Sequence, residues 1–124
     1  MSTSLYDQLG GESFFERLVN LFYEGVESDE TLRAMYPDDL ASSKRHLTLF
    51  LVQYWGGPPT YQHERGHPRL RMRHARFAIT KAARDAWMSA MLAALEGLRE
   101  ELSDDQFEEL RSYFDMAATQ MRNV

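Results

Sequence analysis

The stretch YWGGPPTYQHERGHPRLRMRHARF, residues 54–77, decides how this chain folds. Its Gly-Gly-Pro-Pro segment ends a helix sharply, because proline lacks the N–H that a helix interior needs and restricts the residue before it. The sequence then predicts a loop to His67 and a short basic helix, with Pro68 in its first turn and its end near Arg76. That short helix carries the imidazole of His74.

His74 is a candidate metal ligand because of its neighbours. Leu70 lies one turn upstream on the same helix face, and Arg71 and Arg73 lie within one turn. A haem-ligating imidazole offers one ring nitrogen to iron and donates its other N–H, while nearby cations pair with the two propionates. Periodicity alone also allows a hydrogen-bonded core histidine, so both interpretations stay open at this point.

Side chains that can wall an apolar cofactor occur elsewhere in the chain, namely Phe22, Tyr23, Tyr36, Leu47, Phe50 and Trp87. Three of them carry a hydroxyl or an indole N–H, which normally needs a partner when it is buried. A ligand that accepts hydrogen bonds would satisfy these donors, and so would backbone carbonyls. These side chains therefore permit a cofactor pocket without requiring one.

The composition narrows the class of protein. The length predicts one domain, residues 1–124, and no segment reaches the roughly 18 apolar residues of a bilayer span. The net charge of −5 argues against a nucleic-acid partner, although five arginines cluster in residues 65–76. Because cysteine is absent, disulfides, cysteine-ligated clusters and thiolate or thioether bonds to haem are excluded. No signal peptide is visible at the start, which predicts a cytoplasmic protein.

Hydrophobic periodicity and helix-breaking residues predict an all-α fold. A short turn over residues 5–9 comes first, and one or two helical turns are expected over residues 29–36. A longer helix is expected over about residues 40–55, up to the Gly-Gly-Pro-Pro break. Most apolar residues on the helix stripes are expected simply to form the core.

Three helix starts are marked by side chains that can accept a hydrogen bond from the first turn. Thr80 is predicted to cap a long helix that carries Trp87. Ser13 with Glu16, and Ser103 with Gln106, show the spacing of a capping box, in which the two residues bond each other's backbone N–H.

Residues 63–67 match the zinc-protease motif H-E-x-x-H, but we reject a zinc site there. That motif needs a helix, so that both imidazoles face one metal. Gly66 inside it and Pro68 directly after it predict a loop instead. His46 points away from the inner stripe of its helix and is predicted to lie on the surface. For His67, a polar loop contact and a pairing with an anionic group both stay open.

The chain resembles the group II truncated haemoglobins, the haemoglobin-O type of actinobacteria. The similarity extends over essentially the whole chain and is densest in Phe22-Tyr23, Met35-Tyr36-Pro37, LVQYWGGPPT (51–60), RGHPRLRMRH (65–74) and Asp85-Ala86-Trp87. The pairs Gly10-Gly11 and Gly56-Gly57 look like that family's glycine breaks. The resemblance implies a truncated globin, a two-over-two helical sandwich around haem b.

By the same resemblance, His74 is the proximal iron ligand. The distal ligand-binding side is implied to comprise Tyr23, Tyr36, Ser43, Leu47 and Trp87, with Ser43 at the gate. Ser42 stays open for that position, because the connection over residues 37–40 looks one residue shorter than in relatives. Together with the apolar residues above, the predicted cofactor contacts are Phe22, Tyr36, Leu47, Phe50, Tyr61, His67, Leu70, Arg73, His74, Phe77 and Trp87, with Tyr61, His67 and Arg73 beside the propionates.

Three functions follow from these patterns. The first is a haem b protein that binds O2, CO, NO or other small ligands at ferrous iron and releases O2 slowly, held by Tyr and Trp donors. The second is a haem redox enzyme, a peroxidase or nitric-oxide dioxygenase, which needs a reducing substrate or an unidentified reductase. The third is a cofactor-free helical interaction module, which a strong Soret band would exclude. Assembly into a homo-oligomer stays open for all three.

Overall fold

The computed structural model describes residues 3–75 and 77–124, so Arg76, near which the sequence predicts a helix end, lies outside them. Within these ranges the chain is helical and no strand is found. The helices are α1 (Leu5–Gln8), α2 (Glu12–Glu27), α3 (Glu30–Arg33), α4 (Ala41–Tyr54), α5 (Thr60–Arg65), α6 (Leu70–His74), α7 (Lys81–Gly97) and α8 (Asp104–Met121), with a 3-10 turn at Arg99–Glu101. None of these helices is long and apolar enough to cross a bilayer.

Four long helices form two packed pairs, which confirms the predicted two-over-two sandwich. Helix α2 packs on α4 and α7, and α7 packs on α8. The pairs bury one apolar stripe from each helix, and this burial supplies most of the stabilisation of such a helical domain. The largest fully buried side chains include Phe14, Phe15, Phe22, Met91, Leu95, Leu110 and Phe114.

The crossing of α2 and α7 is unusually close. A Cβ atom added at Gly25 would lie 3.0 Å from the Cβ of Ala90, tighter than an ordinary van der Waals contact. Two small residues therefore let the backbones approach. The same two helices carry Tyr23 and Trp87, so this crossing sets the spacing between those two side chains.

Two of the three predicted helix starts are confirmed. The Thr80 hydroxyl accepts a hydrogen bond from the Ala83 N–H at 3.1 Å, and Ser103 and Gln106 make both bonds of a capping box. The Ser13 start is wrong, because α2 begins at Glu12, directly after Gly11. Gly11 has a φ of 86°, a backbone region that glycine enters easily, and this turns the chain into the helix without a side-chain cap.

The predicted loop before His67 is wrong in part, because α5 forms within it. Proline directly before a helix is tolerated, since the first N–H groups of a helix have no partner inside it. His63 and Glu64 therefore lie on α5, which ends before Gly66 at a φ of 77°. The expected place of Pro68 in the first turn of the basic helix is also wrong. That helix, α6, begins only after Arg69, whose backbone is left-handed.

Candidate functional site

A cavity of about 450 Å³ opens between α4, α6, α7 and α8. This volume lies within the range of roughly 300–1,000 Å³ that is typical of small-molecule and cofactor sites. Eleven residues predicted as site residues line it, namely Tyr23, Tyr36, Ser43, Leu47, Phe50, Tyr61, Leu70, Arg73, His74, Phe77 and Trp87. Side chains from five helices, α2, α4, α5, α6 and α7, and from two connecting segments are thus brought around one apolar space.

Two predicted contacts lie outside this lining. Phe22 is fully buried behind the wall, with its ring centroid 5.0 Å from that of Tyr23 and 5.2 Å from that of Trp87. It supports two wall residues rather than facing the cavity. His67 is exposed, and its Nδ1 accepts a hydrogen bond from the Arg69 N–H at 3.1 Å. The structure therefore gives the predicted propionate contact of His67 no support.

His74 is oriented by its own helix. Its Nδ1 lies 2.6 Å from the carbonyl oxygen of Leu70, one turn upstream. A carbonyl only accepts hydrogen bonds, so Nδ1 carries a proton, and in the tautomer that this bond selects the lone pair lies on Nε2. This is the arrangement of a metal-binding imidazole, in which the bond of one ring nitrogen fixes the tautomer that leaves the other free to coordinate.

Arg73 braces the segment that carries His74. Its Nε donates to the Pro68 carbonyl at 2.6 Å, and its Nη2 donates to the Arg65 carbonyl at 2.9 Å. The guanidinium also lies 6.0 Å from the ring centroid of Tyr61. Arg73 lines the cavity as predicted, but most of its donors are bonded to the backbone between α5 and α6. Its main observed effect is to hold that junction together.

Tyr23, Tyr36, Ser43 and Trp87 are polar side chains of the lining that interact with one another. Burial raises the pKa of Tyr36, and hydrogen bonds with Trp87 and Tyr23 oppose that rise. The indole N–H of Trp87 can only donate, so the Tyr36 oxygen is the acceptor in that pair. Burial also raises the pKa of Tyr23, and a hydrogen bond with Ser43 opposes that rise.

Of the two candidates for the gate position, Ser43 and not Ser42 borders the cavity. Ser43 lines the cavity and bonds Tyr23, whereas Ser42 is exposed and outside the lining. The four-residue offset from Leu47 places Ser43 one turn away on the same face of α4, which is why the two side chains border the same space.

His46, predicted on the surface, instead lines the cavity. Arg65 Nη1 lies 2.8 Å from its Nδ1, and an arginine can only donate, so the neutral imidazole accepts. Burial lowers the pKa of His46, and the cations of Arg65 and Arg45 lower it further. The periodicity of α4 did not show this, because the residue that closes over His46 comes from α5.

Sequence reasoning also missed the contribution of α8 to the cavity. We interpreted its apolar stripe only as core, but the cavity is lined from this side by Tyr113, Phe114, Ala117, Ala118 and Met121. The adjacent alanines were the available signal. Small side chains in the middle of a large apolar stripe leave space beside the helix that a ligand can fill.

The lining suits haem in shape and in charge. Its cationic side chains are Arg65, Arg73 and Arg84, of which Arg84 is ion-paired with Asp85 and Asp115, and none of the described lining residues is Asp or Glu. An apolar cavity with an electropositive edge suits a flat apolar ring that carries carboxylates. His74 would hold the iron from one side. In the part of the chain that the structure describes, no three His, Asp or Glu residues are grouped as ligands to a single metal ion.

A helical sandwich with a histidine-sided cavity of this kind defines a globin. The chain belongs to the bacterial-like globin family, whose model matches residues 4–123. It is 44% identical over 99 residues to the group 2 truncated hemoglobin YjbI of Bacillus subtilis (strain 168), a match that covers 78% of this chain and 75% of that protein. The predicted group II resemblance is thus confirmed, and the cofactor of this family, haem b, is the cofactor of this chain.

Solved structures agree in fold over nearly the whole chain. The hemoglobin of the thermophilic phototroph Chloroflexus aurantiacus is 48% identical, with a TM-score of 0.93, and the match covers 99% of this chain and 100% of that one. The truncated oxygen-avid haemoglobin of Bacillus subtilis is 39% identical, with a TM-score of 0.91, over 98% and 100% of the two chains. Both values support the same helical frame around the cavity.

Proposed function

We propose that this protein binds O2 and other diatomic ligands between His74 and the Tyr36–Trp87 side of the cavity, and that it releases O2 slowly. The observation that carries the proposal is the hydrogen bonding of the Tyr36 hydroxyl. A phenol oxygen accepts two hydrogen bonds and donates one. In this proposal Trp87 and Tyr23 both donate to the Tyr36 oxygen, so the Tyr36 proton is left for a third partner in the cavity.

Haem iron supplies a coordination position for the diatomic ligand and shifts electron density onto it. The residues of the chain then act by directing donors to that negative charge. The Tyr36 O–H is polarised by the two bonds that its oxygen accepts, which strengthens it as a donor. Each hydrogen bond to a charged acceptor contributes about 1.5–3 kcal/mol, enough to slow ligand loss by roughly 10- to 150-fold.

Trp87 takes part in two arrangements in this proposal. Without a ligand its indole N–H bonds the neutral oxygen of Tyr36. A charged acceptor forms a bond about twice as strong as a neutral one. A bound ligand with negative charge therefore competes for the indole donor, and Trp87 joins Tyr36 in holding it. Tyr23 continues to donate to the Tyr36 oxygen and keeps that ring in position.

Ser43 and Leu47 control access in this scheme. Ser43 is a small, partly exposed residue of the lining, and Leu47 borders the same space one turn along α4. A small side chain at that point leaves the entrance comparatively open, so the distal hydrogen bonds, rather than a closed gate, limit escape. The 39% identical haemoglobin of Bacillus subtilis is oxygen-avid, which agrees with slow O2 release here.

The test begins with absorption spectra of the ferric, ferrous and carbon-monoxide forms, which should show a strong Soret band. Rapid mixing of the oxygenated protein with an O2 scavenger then gives the O2 dissociation rate. Slow release that becomes fast in Tyr36→Phe supports the proposal. Fast release in the wild-type protein would overturn it. Multiple turnovers with peroxide or nitric oxide and a reductant would instead favour the redox-enzyme function.

A further inference from the structure

The helix that carries His74 is short and poorly buried. Helix α6 has five residues, and none of them is buried. A helix of this length is not stable by itself. The free energy lost in ordering its first turn exceeds the free energy gained from the hydrogen bonds of one turn. The described residues between His74 and Thr80 form no regular secondary structure either. The position of His74 therefore depends on contacts with other elements.

Asn123 makes four hydrogen bonds to this segment. Its backbone N–H donates to the Ile79 carbonyl at 3.0 Å, and its Oδ1 accepts from the Ile79 N–H at 2.9 Å. Its Nδ2 donates to the Phe77 carbonyl at 2.9 Å and to the His74 carbonyl at 3.4 Å. Asn123 follows α8 by two residues, so these bonds connect the end of α8 to the segment after α6.

The set of bonds requires an asparagine. A primary amide offers an acceptor oxygen and two donor hydrogens within one short side chain. Aspartate would keep the acceptor for Ile79 but would lose both donors and place a negative charge beside the carbonyls of His74 and Phe77. Alanine would lose all three side-chain bonds and keep only the backbone bond. No role in the cavity explains the residue, because Asn123 is not among the residues that line it.

These bonds act on a different part of His74 from the bond to Leu70. The Leu70 carbonyl fixes the rotation of the imidazole through Nδ1, whereas Asn123 holds the carbonyl attached to the His74 Cα. The His74 carbonyl also accepts the Phe77 N–H at 3.0 Å, so its second lone pair remains for Asn123. One restraint sets the direction of the ring, and the other sets the position of the backbone that carries it.

We propose that Asn123 is a positioning residue for His74: it ties the carbonyl of His74 and the connection to α7 onto the end of α8, and so fixes the depth at which the imidazole meets haem iron. This inference rests on the proposed role of His74 as the proximal ligand. Helix α8 also lines the cavity through Ala117, Ala118 and Met121. The same helix thus sets one wall of the cavity and the position of the ligand.

The experiment uses the haem-loaded protein and two variants, Asn123→Ala and Asn123→Asp, with Gln120→Ala as the matched control. Gln120 is an exposed polar residue of α8 close to the same helix end. Resonance Raman spectroscopy of the ferrous, ligand-free form reports the iron–histidine stretching band. Transfer of haem to excess apomyoglobin gives the rate of haem loss, and thermal unfolding gives overall stability.

Both Asn123 variants should move or broaden the iron–histidine band and release haem roughly 5- to 30-fold faster, while Gln120→Ala matches the wild type. The inference is overturned if Asn123→Ala leaves the band unchanged, even when stability falls, because Asn123 would then be only a structural tie. If the band is absent from the wild type and from every variant, His74 is not the ligand, and the proposed function and this inference both fall.

Discussion

The two faces of the cavity are built by different means. On the distal face, Tyr23 lies on α2 and Trp87 on α7, two long helices whose inner faces form the core. On the proximal face, His74 lies on a five-residue helix that contains no buried residue. Polar bonds to backbone carbonyls, from Arg73 and Asn123, hold that region.

This difference separates the residues proposed to control ligand binding from those proposed to retain haem. Local opening costs little where few apolar contacts would be broken, and it costs nearly the full free energy of unfolding in the core. Trp87, a proposed ligand donor, and Tyr23, which is proposed to position Tyr36, therefore share the stability of the whole domain. We expect retention of the cofactor to depend more on a few hydrogen bonds near the surface. We expect ligand kinetics and haem retention to respond to separate sets of substitutions.

The largest effect is expected from His74→Ala, which removes the only protein ligand to iron in this proposal. The iron–histidine band should disappear from the ferrous Raman spectrum, and haem content should fall or be lost altogether. Thermal stability should fall with haem content, because a cofactor that binds the native state preferentially stabilises it. His67→Ala, at an exposed histidine outside the cavity, is the control. Iron ligation that survives His74→Ala but not His67→Ala would make the assignment wrong.

A change on the distal face should alter ligand kinetics without releasing the cofactor. Trp87→Phe keeps much of the side-chain bulk and removes the N–H, so O2 should dissociate roughly 10-fold faster or more. Carbon monoxide carries less negative charge, and its dissociation rate should change less. Stopped-flow measurements of both ligands, beside haem transfer to apomyoglobin, separate the two properties.

Tyr36→Phe should change the same rates in the same direction. The double variant should be non-additive, because the Trp87 and Tyr36 donors share one acceptor and bond each other without it. Equal acceleration of O2 and carbon monoxide would show that Trp87 acts only through its volume. The distal face would then act on the ligand by its shape and not by hydrogen bonds.

On the proximal face, Arg73→Ala should have the opposite pattern. It removes the bonds to the Pro68 and Arg65 carbonyls, and net losses of about 1 kcal/mol for each bond should speed haem loss severalfold. The O2 dissociation rate should stay near the wild-type value. Arg71→Ala, at an exposed neighbour on the same helix, removes the same charge and serves as the control. Similar haem loss from both variants would mean that net charge, rather than bonding, retains the cofactor.

The smallest expected effect concerns pH and His46. Burial, with Arg65 and then Arg45, lowers the pKa of His46 below its ordinary value of 6.5 in the folded protein. Glu64 opposes this and Arg73 adds to it. As the pH falls below 6.5, the unfolded chain takes up a proton that the folded chain does not, so this contribution lowers stability.

His46→Gln should therefore lose less stability than the wild type when urea unfolding is compared above and below pH 6.5. His63→Gln, at an exposed histidine of α5, should keep the wild-type pH dependence. Identical pH dependence in all three proteins would show that the neighbouring arginines do not act on His46 in solution.

The parts of the fold that follow from local chemistry could be predicted from the sequence. Thr80 and Ser103 mark helix starts because their hydroxyls reach an N–H only a few residues away. Gly-Gly-Pro-Pro marks a helix end for similarly local reasons. Ser13 failed as a start because the chain already turns into α2 at Gly11, two residues earlier, where φ is 86°.

The parts of the site that depend on distant partners could not be predicted from periodicity. The family resemblance and the apolar residues together named eleven residues of the lining, yet they missed the pairing of His46 with Arg65, 19 residues away. They also gave no sign of Asn123, whose partners lie 44–49 residues back along the chain. No sequence pattern marks a residue of that kind, because only the tertiary fold brings its hydrogen-bond partners close to it.

The close crossing at Gly25 and Ala90 gives this molecule a way to tune its chemistry from outside the cavity. Neither residue lines the space where a ligand would sit. A methyl group added at position 25 would meet the Ala90 Cβ at 3.0 Å, so the crossing of the two helices that carry Tyr23 and Trp87 would have to give by a few tenths of an ångström. The spacing between Trp87 and Tyr23 therefore depends on a residue whose side chain is a single hydrogen atom.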